Sequence, residues 1–120
     1  MAKFTYASAG VDIDNADATK REMARSLQTN DARVLNSIGA FATLFDGHFP
    51  QYEHPVLVLK SEEPGSKQKL AFAYGRYESV CYDLVNHLIN DIIVMGAHPL
   101  SMQDVIVCGK LEKDVITRVV

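Results

Sequence analysis

Cysteine is scarce in this chain: only Cys81 and Cys108 occur, and neither belongs to a Cys-x-x-Cys pair. A disulfide framework or a zinc knuckle needs more thiols at closer spacing, so both are excluded and two buried free thiols are expected. An excess of basic residues is missing as well. Lysine and arginine total 12 against 15 acidic residues, for a formal charge of −3, which is not the basic face of a nucleic-acid binder. No apolar run approaches the roughly 20 residues that cross a bilayer, and Met1-Ala2-Lys3 leads straight into a mixed polar segment rather than a leader. A soluble cytoplasmic protein is expected, with neither nucleic acid nor membrane as partner. Repeats, low-complexity tracts, a Walker glycine loop and a nucleophile elbow are all lacking. Asp12 and Asp14 begin like a calcium loop, but Ala16 stands at the third ligand position and Met23 at the closing one. That reading fails.

What is present suits one globular domain over 1–120, with 48% hydrophobic and 22% charged residues. Residues 1–14 read as an extended arm, with Val11-Asp12-Ile13-Asp14 alternating like a short edge strand. Asp14 or Asn15 is placed to cap a helix over 16–29. The second half of 34–45 reads as a strand closed by Asp46-Gly47. Residues 56–59 and 105–108 read as strands that are apolar on both faces, and such strands must be covered on both sides. A long helix is predicted over 77–96, stopped by Gly96 and Pro99. Another begins in 111–120, with Leu111, Val115 and Val119 on one side. That face finds no evident resting place, so the chain reads as cut there. The expected fold class is α/β (α+β): a small mixed or antiparallel sheet with one long covering helix. The sheet's uncovered face should meet its copy in a homodimer.

The long helix carries the strongest functional signal. At about 100° per residue, Cys81, Leu84, Val85, Leu88, Ile92 and Met95 form an apolar stripe. The other side holds Asp83, Asn86, His87, Asn90 and, nearer its edge, Asp91. A merely solvated face would use long helix formers, whereas these short polar groups make a close set of oxygen and nitrogen donors. Asp83 and His87, and His87 and Asp91, are spaced i,i+4 and can share a ligand. The loop 60–67 is the second candidate. Pro64-Gly65 forces a turn, Gly65, Ser66 and Lys67 offer amides, a hydroxyl and an ammonium to a phosphate, and Glu62 and Glu63 suit magnesium. Lys67, Lys69 and Arg76 gather around this loop, a pattern suited to a small anionic ligand. His48, His54 and His98 read as structural or surface residues.

Four stretches together resemble a known family. They are Tyr6 to Asp14 with its Gly-Val-Asp-Ile-Asp, Ile38 to Phe45, Pro55 through the loop to Lys67, and Tyr82-Asp-Leu-Val-Asn-His87 through Asn90-Asp91-Ile92 to Ala97; Gly109-Lys110-Leu111 closes the match. Their order and spacing resemble the first third of aminoimidazole ribonucleotide synthetase (phosphoribosylformylglycinamidine cyclo-ligase), within a superfamily that includes formylglycinamidine synthetase, selenophosphate synthetase, thiamine-phosphate kinase and a hydrogenase-maturation protein. The resemblance implies an α/β amino-terminal domain whose sheet joins that of a second subunit in a barrel-like dimer core. It also implies ATP and magnesium beside that sheet, with a carboxy-terminal domain, absent from this chain, completing the cleft. The implied reaction is ATP-dependent ring closure of formylglycinamidine ribonucleotide, by phosphorylation of the formyl oxygen and displacement by an amidine nitrogen.

In that light Glu62 and Asp91 are the expected metal ligands, with Asp83 a third. Gly65, Ser66 and Lys67 would face ATP phosphate, and Asn90 and His87 would orient the ligand or its water. The loop departs from the family pattern: Glu62 stands where the family has a metal-binding aspartate, and Glu63 and Pro64 replace a glycine and a valine. Ala7-Ser8 stand where the best-known members carry Lys-Asp. A divergent subgroup is implied. The alternatives are another ATP-dependent member of the superfamily, or a dimerisation module that has lost nucleotide binding. The 120 residues alone are expected not to catalyse ring closure, because substrate positioning needs the second domain.

Overall fold

The computed structural model describes residues 4–120, and the first three positions of the expected arm lie outside the described residues. The chain gathers into two units. One contains the chain up to Glu53 together with Val107–Arg118; the other is His54–Ile106.

In the first unit, Thr5 and Ser8 exchange amide-to-hydroxyl hydrogen bonds of 2.9 and 3.1 Å and close a single 3-10 turn over Ala7–Ala9. The expected edge strand at 11–14 does not form, because Asp12 acts as a helix cap instead. Its Oδ1 accepts the Asn15 amide at 3.0 Å, satisfying one of the orphan donors of helix α1, Ile13–Ser26. The helix therefore starts and ends three residues earlier than the predicted 16–29. The Asn15 side chain makes a different contact, its Nδ2 donating to the Leu111 carbonyl at 3.0 Å. Thr19 is buried, with its hydroxyl donating back to the Asn15 carbonyl at 2.8 Å. The terminal helix, Lys113–Val119, is not left without support. Lys113 pairs with Glu22 of α1 at 2.7 Å, and Ile116 is buried, a gain of about 2 kcal/mol for a side chain of that size.

The second unit carries two further helices. The helix Lys67–Ala73, which sequence reading missed, is followed by Tyr77–Val94, as predicted to within two residues at its end. Numbered in chain order, these are α2 and α3, and the terminal helix is α4. Both α2 and α3 end in the same way. Gly75 (φ 64) and Gly96 (φ 75) take the left-handed conformation. Arg76 then donates to the Ala71 carbonyl at 2.8 Å and Gly75 to that of Phe72 at 3.1 Å, while Ala97 and Gly96 donate to those of Ile92 and Ile93 at 3.3 and 2.8 Å, the paired bonds of a Schellman stop. Phe72 and Tyr77 meet edge to face across the first turn, centroids 4.9 Å apart. Val80 is buried, while most of the predicted apolar stripe of α3 is half-covered and Met95 is exposed.

The expected α/β (α+β) architecture, a small sheet under one helix completed by a partner in a barrel-like core, is corrected here. Among the described residues there is no sheet. Strand-like pairing is confined to isolated bridges: Val34 opposite Phe45, antiparallel, and Ile38 with Ala40. Around the first, Leu35 donates to the Leu44 carbonyl and Asp46 to that of Arg33, both at 2.8 Å. The Asn36 side chain bonds Ala42 and Leu44 at 2.7 Å, standing in for the next rung. Residues 56–59 and 105–108 form no ladder, and Val56, Leu59, Val105 and Val107 are exposed. The physical reason lies in where hydrogen bonds are found. A helix satisfies its amides within one turn, whereas a strand needs a second segment alongside it. β-Branched composition alone does not supply that neighbour.

Candidate functional site

Three residues from two elements meet at one point in the second unit. Glu62 comes from the loop before α2, and His87 and Asp91 from successive turns of α3. One ligand atom from each lies within 4.8 Å of the others. The helix accounts for half of this arrangement: i,i+4 spacing stacks His87 over Asp91, with Nε2 to Oδ2 at 3.6 Å. The loop accounts for the rest, and a residue that sequence reading passed over holds it. The Lys60 ammonium lies 3.1 Å from Glu62 Oε2 and 3.0 Å from Asp91 Oδ2, tying the loop to the helix.

The electrostatics follow from that contact. The hydrogen bonds that Lys60 donates to Asp91 and then to Glu62 raise its pKa above its ordinary value. The Glu62 carboxyl is held below the usual range, first by the Glu63 amide and then by Lys60. That amide donates to Glu62 Oε1 at 3.1 Å, which leaves Oε2 to face the cluster. Both carboxylates are therefore presented to a cation, and partial exposure leaves room for a ligand to approach. Lys60 gave one sequence signal, as a lone cation two residues before Glu62. Its bond to Asp91 gave none.

The other expected residues fall elsewhere. Asp83 pairs with Lys67 across α2 and α3, and at 1.5 Å of rise per residue it stands about 12 Å along the helix from Asp91. The structure does not bring it into the cluster. Lys67 is thereby committed to a carboxylate rather than standing free at the loop. Gly65, with φ 67, and Ser66 lead directly into α2; their carbonyls accept the amides of Gln68 and Lys69 at 3.1 and 3.2 Å. Asn90 is exposed beside Asp91. The polar side of α3, read as one surface, is thus two: an Asp83–Lys67 pair, and the Glu62–His87–Asp91 cluster with Lys60.

A shallow cleft of about 520 Å³ runs between α2 and α3, lined by Lys67, Leu70, Tyr74, Arg76, Ser79 and Asp83 among others. Cys81, on α3, is not an activated thiol: burial, followed by the charges of Asp104 and Glu78, pushes its pKa up, the opposite of what a nucleophile needs. Both cysteines are free, but the expected burial is corrected: Cys81 is only partly covered, and Cys108 is exposed. Among the described residues, no helix is long and apolar enough to cross a membrane.

Residues 53–120, which contain the whole cluster, match the family described as AIR synthase related protein, N-terminal domain. Among curated relatives, the phosphoribosylformylglycinamidine cyclo-ligase of Magnetococcus marinus is 40% identical over 117 residues, covering 97% of this chain and 33% of the relative. Its namesake from Bordetella avium is 42% identical over 120 residues, covering 99% and 34%. That of Citrifermentans bemidjiense is 44% identical over 112 residues, covering 92% and 32%. The chain spans about a third of the length of the curated relatives it matches. No solved structure matches it.

Proposed function

The chain belongs to the AIR synthase related family through its N-terminal domain, and from that membership we propose that it is the nucleotide- and metal-binding part of a phosphoribosylformylglycinamidine cyclo-ligase. The reaction is ATP-dependent closure of formylglycinamidine ribonucleotide to aminoimidazole ribonucleotide, a ligase step of purine biosynthesis. The observation that carries this reading is the cluster of Glu62, His87 and Asp91 ligand atoms within 4.8 Å.

The donor set fits magnesium in its main requirement. Two carboxylates, partly exposed, leave positions for water and phosphate oxygens, which is how that ion is usually held. Glu62 and Asp91 would hold it, and His87 would orient a bound water or phosphate oxygen. Asp83, paired with Lys67, belongs to a neighbouring contact and not to this shell. When bound, the ion supplies neutralisation of phosphate charge. The chain's own part is positioning: α3 fixes Asp91 and His87, the loop brings Glu62 to them, and Gly65, Ser66 and Asn90 would face the nucleotide, joined by Lys67 only if it leaves Asp83. Binding and orienting the ribonucleotide substrate falls, in this reading, to the remainder of a full-length cyclo-ligase, since the chain corresponds to about a third of one.

Two further properties belong to the reading. Val56, Leu57, Leu59 and Val105 are apolar side chains left exposed, and covering them with a second copy would remove that surface from water, which supports a homodimer. The two free thiols suit a reducing cytoplasm.

Calorimetric titration of ATP, with and without magnesium, tests the site. Binding should depend on magnesium, and Asp91→Asn should weaken it about tenfold or more while leaving the helical circular dichroism unchanged. The magnitude is that of losing one charged ligand, roughly 1.4 kcal/mol or above. Equal affinity in Asp91→Asn and the parent would remove Asp91 from the site.

A further inference from the structure

Lys60 is bound where a metal ion would bind. Its ammonium contacts Asp91 Oδ2 at 3.0 Å and Glu62 Oε2 at 3.1 Å, and these two side chains, with His87, are the ones that could hold a cation. We propose that Lys60 is a resident counter-ion of this site, which a divalent cation must displace from Glu62 and Asp91 before it can bind them. The inference rests on the metal reading above and adds to it a competitor built into the chain.

Charge and space set the two occupants against each other. Glu62 and Asp91 contribute two negative charges, and Lys60 already neutralises one of them. A divalent ion taking the same two oxygens would sit against the ammonium, and like charges at such a separation repel strongly outside bulk water. The two occupants are therefore alternatives. Lysine suits displacement. Its charge is compact, its stem is flexible, and it keeps no fixed fork of donors of the kind that makes an arginine pair hard to break. The contact is also only partly shielded: side-chain exposure is 33% for Lys60, 31% for Glu62 and 37% for Asp91, so water can solvate the ammonium as it leaves.

Without metal, Lys60 keeps the two carboxylates from repelling each other and holds the loop to α3. With metal, the released ammonium remains on the loop two residues from Glu62, close enough to meet a phosphate arriving with the ion. The exchange is thus favoured by a metal–phosphate complex over the bare ion, because only the complex offers the ammonium a new partner.

Manganese(II) is the probe, titrated calorimetrically at low ionic strength without nucleotide into the parent chain, Lys60→Met and Asp91→Asn. Removing the competitor should tighten manganese binding about tenfold in Lys60→Met, and Asp91→Asn should abolish it. Lys60→Gln carries the same expectation and serves if the methionine variant does not fold. Unchanged or weaker binding in both Lys60 variants, with Asp91→Asn still abolishing it, would overturn the competition and leave the metal site standing. Manganese binding that none of the substitutions alters would overturn the site itself, and the competition with it.

Discussion

Asp31 accepts three hydrogen bonds from Arg33: Nε and the backbone amide reach Oδ1 at 3.0 Å, and a terminal guanidinium nitrogen reaches Oδ2 at 2.7 Å. The same guanidinium lies over the Phe45 ring, 5.4 Å from its centroid, so one arginine ties the carboxylate to the Val34–Phe45 bridge. Charged hydrogen bonds of this kind favour the ionised acid. The Arg33 side chain first, and then its amide, hold Asp31 at about 2 against an ordinary 3.8. The folded value is depressed, so the stabilisation is complete above the ordinary value. It is lost as pH falls from there through about 2. Replacing Arg33 by Met leaves only the backbone donor, and the Asp31 midpoint should rise toward the ordinary value in a carboxyl-carbon NMR titration. An unmoved midpoint would mean that the guanidinium contact is not made in solution. Glu22 follows the same logic, held below its ordinary range chiefly by a hydrogen bond from Lys113.

At the scale of the element, α1 shows how one side chain decides where a helix begins. Asp12, Asp14 and Asn15 are all residue types that cap helices. Only Asp12 has both the extended backbone, φ −95 and ψ 103, and the bond to an amide three residues on. Asp12→Ala should therefore cost about 1 kcal/mol of stability, read by urea unfolding monitored at a helical wavelength. Asp14→Ala, inside the first turn, loses only a favourable charge near the helix start and should cost less. If the two substitutions were equally harmful, Asp12 would not be the cap. α2 illustrates the converse. Gln68-Lys69-Leu70-Ala71-Phe72-Ala73 contains good helix formers and a glycine stop at Gly75, so its signal was present in the sequence. Seven residues are short enough to be read as loop when attention falls on the phosphate-like Gly65-Ser66-Lys67.

For the whole molecule, the exposed apolar segments set the expectation. Val56 and Leu59 are 84% and 88% exposed, and Val105 82%. Among the described residues the buried ones are Val80, Ile116 and Thr19. Surface of that kind should drive self-association. Light scattering across a concentration series should show the mass of a dimer, and Val56→Glu combined with Leu59→Glu should return it to that of a monomer. A well-folded parent chain that stays monomeric at every concentration would sink the homodimer.

The sequence by itself determined what depends on near neighbours along the chain. Helix α3, its stop at Gly96, and the stacking of His87 over Asp91 follow from hydrogen bonds and side-chain contacts three to five residues apart, which a periodic pattern records. The family signature in the same stretch pointed to the right relatives. What only the tertiary structure decided is which distant residues meet. Lys60 reaches Asp91, Lys67 takes Asp83 away from the cluster, and Lys113 and Asn15 give α4 a place beside α1. The apolar segments at 56–59 and 105–108 looked like strands because β-branched residues favour extended backbone. A sheet is a relation between segments, and among the described residues neither segment has another to pair with. The partner of a strand, like the partner of a lysine, is set by where the chain returns in space, and local composition carries no record of that.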